Sequence, residues 1–164
     1  MTSETPRPFS LREYGEEDFE TLTVRWHETN RVSYPYNDEQ QRHTLADARR
    51  FFRSHVLATC EVLVSARDGV LVGMLALQAP WIRHFAVFPG HQRQGVGTAL
   101  LQRARELSGA ELRLYTFRRN MPARAFYEKH GFAAVAFGTS PPPESEPDVE
   151  YRWTAFRSTG PVPE

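Results

Sequence analysis

The stretch Gln92-Arg93-Gln94-Gly95-Val96-Gly97 follows an apolar run that stops at Pro89-Gly90 and leads into residues with helical spacing. A strand, a tight glycine-bearing turn and a helix start aim several unpaired backbone N–H groups at one point, and the positive end of the helix dipole reinforces them. That chemistry is anion binding. Gly95 permits the turn without a Cβ penalty, Gly97 allows a phosphate to approach the chain closely, Thr98 adds a hydroxyl and Arg93 a cation. Each hydrogen bond to a charged oxygen contributes about 1.5–3 kcal/mol, which makes a diphosphate a credible ligand. A turn of purely structural purpose is the alternative reading of the same residues. Two rival nucleotide sites are weakened by what is missing. The dinucleotide fingerprint places a third glycine where Leu100 stands and an acid near Phe117-Arg118. The phosphate loop of nucleotide hydrolases requires Gly-Lys-Ser/Thr, and the only lysine is Lys129.

The elements that must position this turn belong to one domain, because 164 residues with 40% apolar content fill a single core. The domain is expected to span residues 1–164, with its packed part about 8–156. Twenty basic and twenty acidic residues cancel, so no global field favours nucleic acid or a membrane surface as partner. The six histidines show no His-x-x-x-His spacing and Cys60 is the only cysteine, so no metal site and no disulfide framework is expected. Cys60 opens an apolar alternating run and reads as a structural thiol, with a reactive nucleophile as the alternative. No apolar stretch has the length of a membrane span and the start, Met1 to Pro8, is polar, which together suggest a cytoplasmic protein.

Along the chain, Phe9 to Tyr14 reads as a strand and Gly15-Glu16-Glu17-Asp18 opens a helix to about Asn30. Arg31 to Asp38 is loop chemistry around Pro35, and one helix is predicted from about Glu39 to Val56 with Leu45, Ala48, Phe51, Phe52 and Val56 on one face. Glu61 to Ala66 and Val70 to Leu77 form a hairpin bent at Asp68-Gly69, and Trp81 to Phe88 is a third strand. A helix follows from Gly97 to about Ser108, with Ala99, Leu100, Ala104 and Leu107 at helical spacing. Leu112 to Phe117 is a strand, Pro122 to His130 a helix capped by Gly131, and Ala133 to Phe137 and Val149 to Phe156 are the last strands, with a frayed tail from Arg157. Helices on both faces of a mixed sheet satisfy this order.

From Phe85 to Phe132 the sequence resembles the GNAT superfamily of N-acetyltransferases. Phe85-Ala86-Val87-Phe88-Pro89 matches that family's fourth strand, Gln92 to Gly97 its Gln/Arg-x-x-Gly-x-Gly/Ala signature, and Asn120 to Phe132 its second signature, an Asn, a small residue, an aromatic pair ending in Tyr, then Gly-Phe. The resemblance implies an α/β (α+β) fold with a mixed, mostly antiparallel sheet of about seven strands, splayed between the fourth and fifth and flanked by about four helices. Acetyl-CoA, as co-substrate, would lie in the gap. Its pantetheine arm would pair with the backbone of Phe85, Ala86 and Val87, and its pyrophosphate would sit on Gln92, Arg93, Gln94, Gly95, Val96, Gly97 and Thr98. Asn120, Ala123 and Phe126 would flank the thiol end.

Acyl transfer to an amine then needs a donor to the oxyanion, a proton for the departing thiolate and a neutral amine. A backbone N–H near Val87 is the candidate for the first, and by resemblance Tyr127 protonates the sulfur. Many family members carry a glutamate on the fourth or fifth strand, but the matching positions hold Trp81 and Tyr115. His84, His27 and Glu28 remain as possible bases. The absence of that glutamate favours an amino acid, a small amine or a peptide N-terminus over a lysine side chain, because an α-amine of pKa about 8 is already partly neutral. Tyr34, Tyr36, Asp38 and Glu39 on one loop, and Glu144, Glu146 and Asp148 on another, are expected to wall the acceptor pocket, with solvated loop charge as the alternative reading of the same carboxylates. The rival functions are a non-catalytic acyl-CoA sensor and a binding module pairing through an exposed last strand, which would also serve a homodimer.

Overall fold

In the computed structural model, residues 8–155 are described, and the expectations for residues 1–7, for the end of the last strand at Phe156 and for the tail from Arg157 lie outside them. Seven strands form one sheet in the order β1-β2-β3-β4-β5-β7-β6. They are β1 (Ser10–Glu13), β2 (Glu61–Arg67), β3 (Val70–Gln78), β4 (Trp81–Val87), β5 (Glu111–Phe117), β6 (Ala133–Thr139) and β7 (Pro147–Thr154). Every pairing is antiparallel except that of β4 with β5. The β2–β3 hairpin turns at Asp68 (φ 52°) and Gly69 (φ 78°), the two left-handed residues that a tight hairpin requires.

Successive residues of β3 feed opposite faces: Val72, Leu75 and Leu77 join one core, while Leu71, Met74 and Ala76 join the other. A strand covered on both faces reads as an unbroken apolar run, as this one does. The first core is closed by α5 (Val96–Ser108) and α6 (Met121–Lys129). In α5 the buried stripe is Val96, Leu100, Leu101 and Ala104, and Leu107 stays 41% exposed, one position away from the stripe that spacing suggested.

The opposite face is covered by a 3₁₀ turn, Glu16–Asp18, by α1 (Phe19–Ser33), and by the short helices α2 (Asp38–Arg42), α3 (Leu45–Phe51) and α4 (Leu57–Thr59), with a π-helical stretch at Phe52–Val56 between the last two. One continuous helix from Glu39 to Val56 is therefore corrected. The break is a capping box: the Thr44 hydroxyl accepts from the Asp47 N–H at 3.1 Å while the Asp47 carboxylate accepts from the Thr44 N–H at 3.0 Å. The anticipated buried face survives at Ala48, Phe52 and Val56, whereas Phe51 is 41% exposed. Cys60 packs partly buried at the edge of this core.

The last strand is not an edge. β7 lies between β5 and β6, and β6 holds the edge, so pairing through an exposed last strand, for a binding module or a homodimer, is ruled out. Among the described residues, no helix is long and apolar enough to cross a membrane, and no group of three or more histidine, cysteine or carboxylate side chains is arranged to hold a metal ion.

Candidate active site

The parallel pair β4 and β5 shares a single bridge, Trp81 with Arg113, next to a bond from the Arg113 N–H to the Pro80 carbonyl at 2.8 Å. Trp81 and Tyr115 stack across that point with ring centres 5.2 Å apart. Beyond it the strands part. From His84 to Val87, β4 has a strand partner only on the β3 side. Its other edge carries main-chain donors and acceptors that a strand-like ligand can satisfy.

Where β4 ends, the turn to α5 is shaped by Arg93 (φ 60°) and by Gly95, which is left-handed at φ 85°, ψ 0° and caps the helix. The first main-chain bond of α5 runs from the Ala99 N–H to the Gly95 carbonyl at 3.0 Å. No described residue accepts a hydrogen bond from the N–H of Gln92, Arg93, Gln94, Gly95, Val96, Gly97 or Thr98. The Arg93 guanidinium makes no ion pair with a described residue. Orphan donors, a helix N-terminus and a guanidinium with no ion pair among the described residues together fit a diphosphate.

Three neighbours differ from the expected roles. The room left by the absent Cβ of Gly97 is taken by the Phe126 ring, 3.3 Å from where that Cβ would stand, and by Val87 at 3.4 Å, so this glycine lets α5 and α6 close up. The Thr98 hydroxyl lies 3.0 Å from His130 Nε2. Because His130 Nδ1 must donate to the Phe126 carbonyl at 2.8 Å, Nε2 accepts, and the Thr98 proton is committed to it rather than to a phosphate. The Asn120 carboxamide caps α6, accepting from the Ala123 N–H at 3.3 Å.

Tyr127, on α6, is 7% exposed and sits among Phe85, Phe126, Phe132 and Tyr151 at ring separations of 5.6–6.3 Å. No described residue hydrogen-bonds its hydroxyl. Burial, and then the nearby phenol of Tyr34, pushes its pKa above the ordinary tyrosine value, so it is a proton donor at any neutral pH.

On the opposite face lies a cavity of about 700 Å³. Its walls include Trp26 and His27 of α1, Tyr34 at the C-cap of that helix, Phe51, His84 of β4, Tyr115 and Phe117 of β5, and Glu144, Asp148 and Glu150. The His84 ring is held edge-on to Trp26 and Phe51 at 5.3 and 5.7 Å. Burial, and then Arg83, lowers its pKa to about 4, so the imidazole is uncharged at neutral pH. His27 Nε2 donates to the His43 carbonyl at 2.6 Å.

The remaining expectations for the acceptor site divide. Tyr34 lines the cavity, its ring 5.0 Å from Phe117, but Tyr36, Asp38 and Glu28 do not. Glu28 is on the solvent side of α1, paired with Arg25 at 3.4 Å. Asp38 is turned away because Asn37 caps α2 through the Gln40 N–H at 3.1 Å. Tyr36 packs under the Arg119 guanidinium, 4.3 Å from its ring centre. Glu39 faces His43 at 3.5 Å. Glu146, 4% exposed, is clasped by Arg119 at 2.6 and 3.0 Å and by Asn37 at 3.3 Å, so it ties three loops together and is held below the ordinary carboxylate range by Arg119.

Asp148 and Glu150 stand two apart on β7, opposite Phe117 and Tyr115. Glu150 accepts from the Tyr115 hydroxyl at 3.0 Å. Asp148 is 8% exposed, no described residue donates to it, and burial raises its pKa. A Cβ at Gly138 would lie 3.3 Å from Asp148 Oδ1, so glycine makes the space that this carboxylate fills. The signal for the missed Glu150 was present: acids at 148 and 150 alternate with the buried Val149 and Tyr151.

The architecture is shared by solved N-acetyltransferases. A GCN5-related N-acetyltransferase from Rhodopseudomonas palustris superposes with a TM-score of 0.77 at 24% identity, over 94% of this chain and 98% of its own. A spermidine N-acetyltransferase from Vibrio cholerae, in complex with CoA and spermine, gives 0.67 at 16%, over 89% and 95%. A ribosomal-protein-alanine N-acetyltransferase from Brucella melitensis also gives 0.67 at 16%, over 88% and 99%. No curated protein matched the chain. The model of the Acetyltransferase (GNAT) family matches residues 19–132, well over half of the sequence and the whole span from α1 to Phe132. With the splayed β4–β5 pair and the unsatisfied turn between β4 and α5, this match places the chain in the GNAT family of acetyltransferases, enzymes that take their acetyl group from acetyl-CoA.

Proposed function

We propose that this single-domain, cytoplasmic enzyme transfers the acetyl group of acetyl-CoA to a primary amine seated in the 700 Å³ cavity, by direct attack in a ternary complex. The reading rests above all on the run of unpartnered main-chain N–H groups from Gln92 to Thr98, poised at the mouth of the gap between β4 and β5. These donors, with Arg93, hold the pyrophosphate. The free edge of β4 at Phe85, Ala86 and Val87 takes the pantetheine arm, which Phe126 and Ala123 flank. Acetyl-CoA supplies the acetyl group as a thioester, activated by its sulfur leaving group. A main-chain N–H near Val87 steadies the negative charge that builds on the thioester oxygen. Tyr127 hands its proton to the departing sulfur, and because burial disfavours the phenolate, the proton shed by the acylated nitrogen returns to the phenol.

The amine must reach the thioester unprotonated. With the His84 pKa lowered by burial and Glu28 facing solvent, the first demand falls on the amine itself, which favours acceptors of lowered pKa. A non-catalytic sensor would need the cradle but not an unpaired, protonated phenol at the gap. Thiol release from acetyl-CoA, measured against a panel of primary amines, is expected to exceed the amine-free rate for at least one. Coenzyme A binding without release for any amine leaves only the sensor.

A further inference from the structure

The charge of the acceptor cavity carries information that the fold does not, because the superposable enzymes differ in what their names say they acetylate. Three carboxylates line it, and neither lysine nor arginine does. Glu144 has only a 3.5 Å contact from the Gln40 carboxamide, Glu150 accepts from a neutral phenol, and none of the three joins an ion pair with a described residue. His84 adds no positive charge at neutral pH. Asp148 is the decisive member: 92% of its surface is covered, no described residue donates to its oxygens, and it lines the cavity. A buried carboxylate without a partner is costly and calls for a cation. The aromatic walls, Trp26, Tyr115 and Phe117 among them, welcome the same charge on their faces.

Resting on the proposed transfer to an amine, we infer that the acceptor is a small dicationic amine without a carboxylate, one nitrogen reacting while the other stays charged against Asp148, Glu144 and Glu150. A monoamine becomes neutral when it reacts and leaves these carboxylates uncompensated. The second ammonium also lowers the pKa of the reacting nitrogen by like-charge repulsion, which meets the need for a neutral amine without a strong base. A substrate carboxylate would face the three acids and be repelled, so free amino acids are excluded.

The test compares 1,4-diaminobutane, butylamine and ornithine, which is the same diamine bearing a carboxylate, by kcat/KM in thiol release. The diamine is expected to exceed each of the others by roughly tenfold or more, and added salt is expected to erode that lead. Asp148→Asn, which keeps the shape of the side chain, is expected to lower the diamine value about tenfold and the butylamine value far less. Equal values for diamine and monoamine, ornithine as good as the diamine, or a lead that survives in both Asp148→Asn and Glu150→Gln overturns the inference while leaving acetyl transfer intact. Silence with every amine overturns the transfer itself, and this inference with it.

Discussion

Tyr127→Phe is expected to lower kcat about a hundredfold while the Kd for coenzyme A stays within about twofold. The phenyl ring keeps the packing against Phe85, Phe126, Phe132 and Tyr151, so the fold and the coenzyme cleft are retained. Only the proton is lost, and no described residue bonds that hydroxyl, so no structural hydrogen bond goes with it. The pH profile gives a second reading. A tyrosine whose pKa is raised above the ordinary 10.0 stays protonated as pH climbs, so the acid is present throughout the neutral and mildly alkaline range. The wild-type rate should therefore rise as the amine loses its proton and show no falling limb from Tyr127 below about pH 10. An unchanged kcat in the phenylalanine variant removes Tyr127 from the mechanism and leaves it as a packing residue.

Gly95→Val should weaken coenzyme A binding about a hundredfold. Nothing lies within 4 Å of where a Cβ would stand at Gly95, so the effect does not come from a clash. It comes from φ 85°, a left-handed geometry that costs an L-residue about 1–2 kcal/mol and a β-branched one more. The turn relaxes toward negative φ, and its N–H groups no longer converge. Losing one or two bonds to charged oxygens, each about 1.5–3 kcal/mol, accounts for the hundredfold. Gly109→Val is the control, because Gly109 has φ 81°, equally open surroundings and a place at the far end of α5. With ψ −86° rather than 0°, it imposes at least as much strain and an equal or larger loss of Tm, measured by thermal unfolding, without changing coenzyme A affinity. Equal affinity in the two variants would mean that the Gly95 turn only rounds a corner.

Local backbone chemistry made most of the fold legible in the sequence. The Asp68-Gly69 bend, the left-handed Gly95 ahead of a helix, and the two apolar faces of β3 are each determined by a few adjacent residues. The helix expected from Glu39 to Val56 failed for a local reason that could have been read, since Thr44-Leu45-Ala46-Asp47 is a capping box that begins a new helix. The acceptor site was less legible. Whether Asp38 faces the cavity depends on how Asn37 caps α2, and whether Glu146 is a ligand or a clasp depends on Arg119, distant in sequence. Loop carboxylates look alike until tertiary partners are assigned, and only Asp148 proved both buried and unpaired. In the cofactor cleft, Gly97 and Thr98 suited phosphate binding by composition, but Phe126 and His130 claim their free space and hydroxyl.

The most direct test follows the amide resonances of a ¹⁵N-labelled protein during titration with coenzyme A and, separately, with pantetheine, which lacks the pyrophosphate. The amides of Gln92 to Thr98 are predicted to shift with coenzyme A and to hold still with pantetheine, even where the β4 residues Phe85 to Val87 respond to both. If those turn amides stay in place while coenzyme A binds, the phosphates are held elsewhere and the account is contradicted.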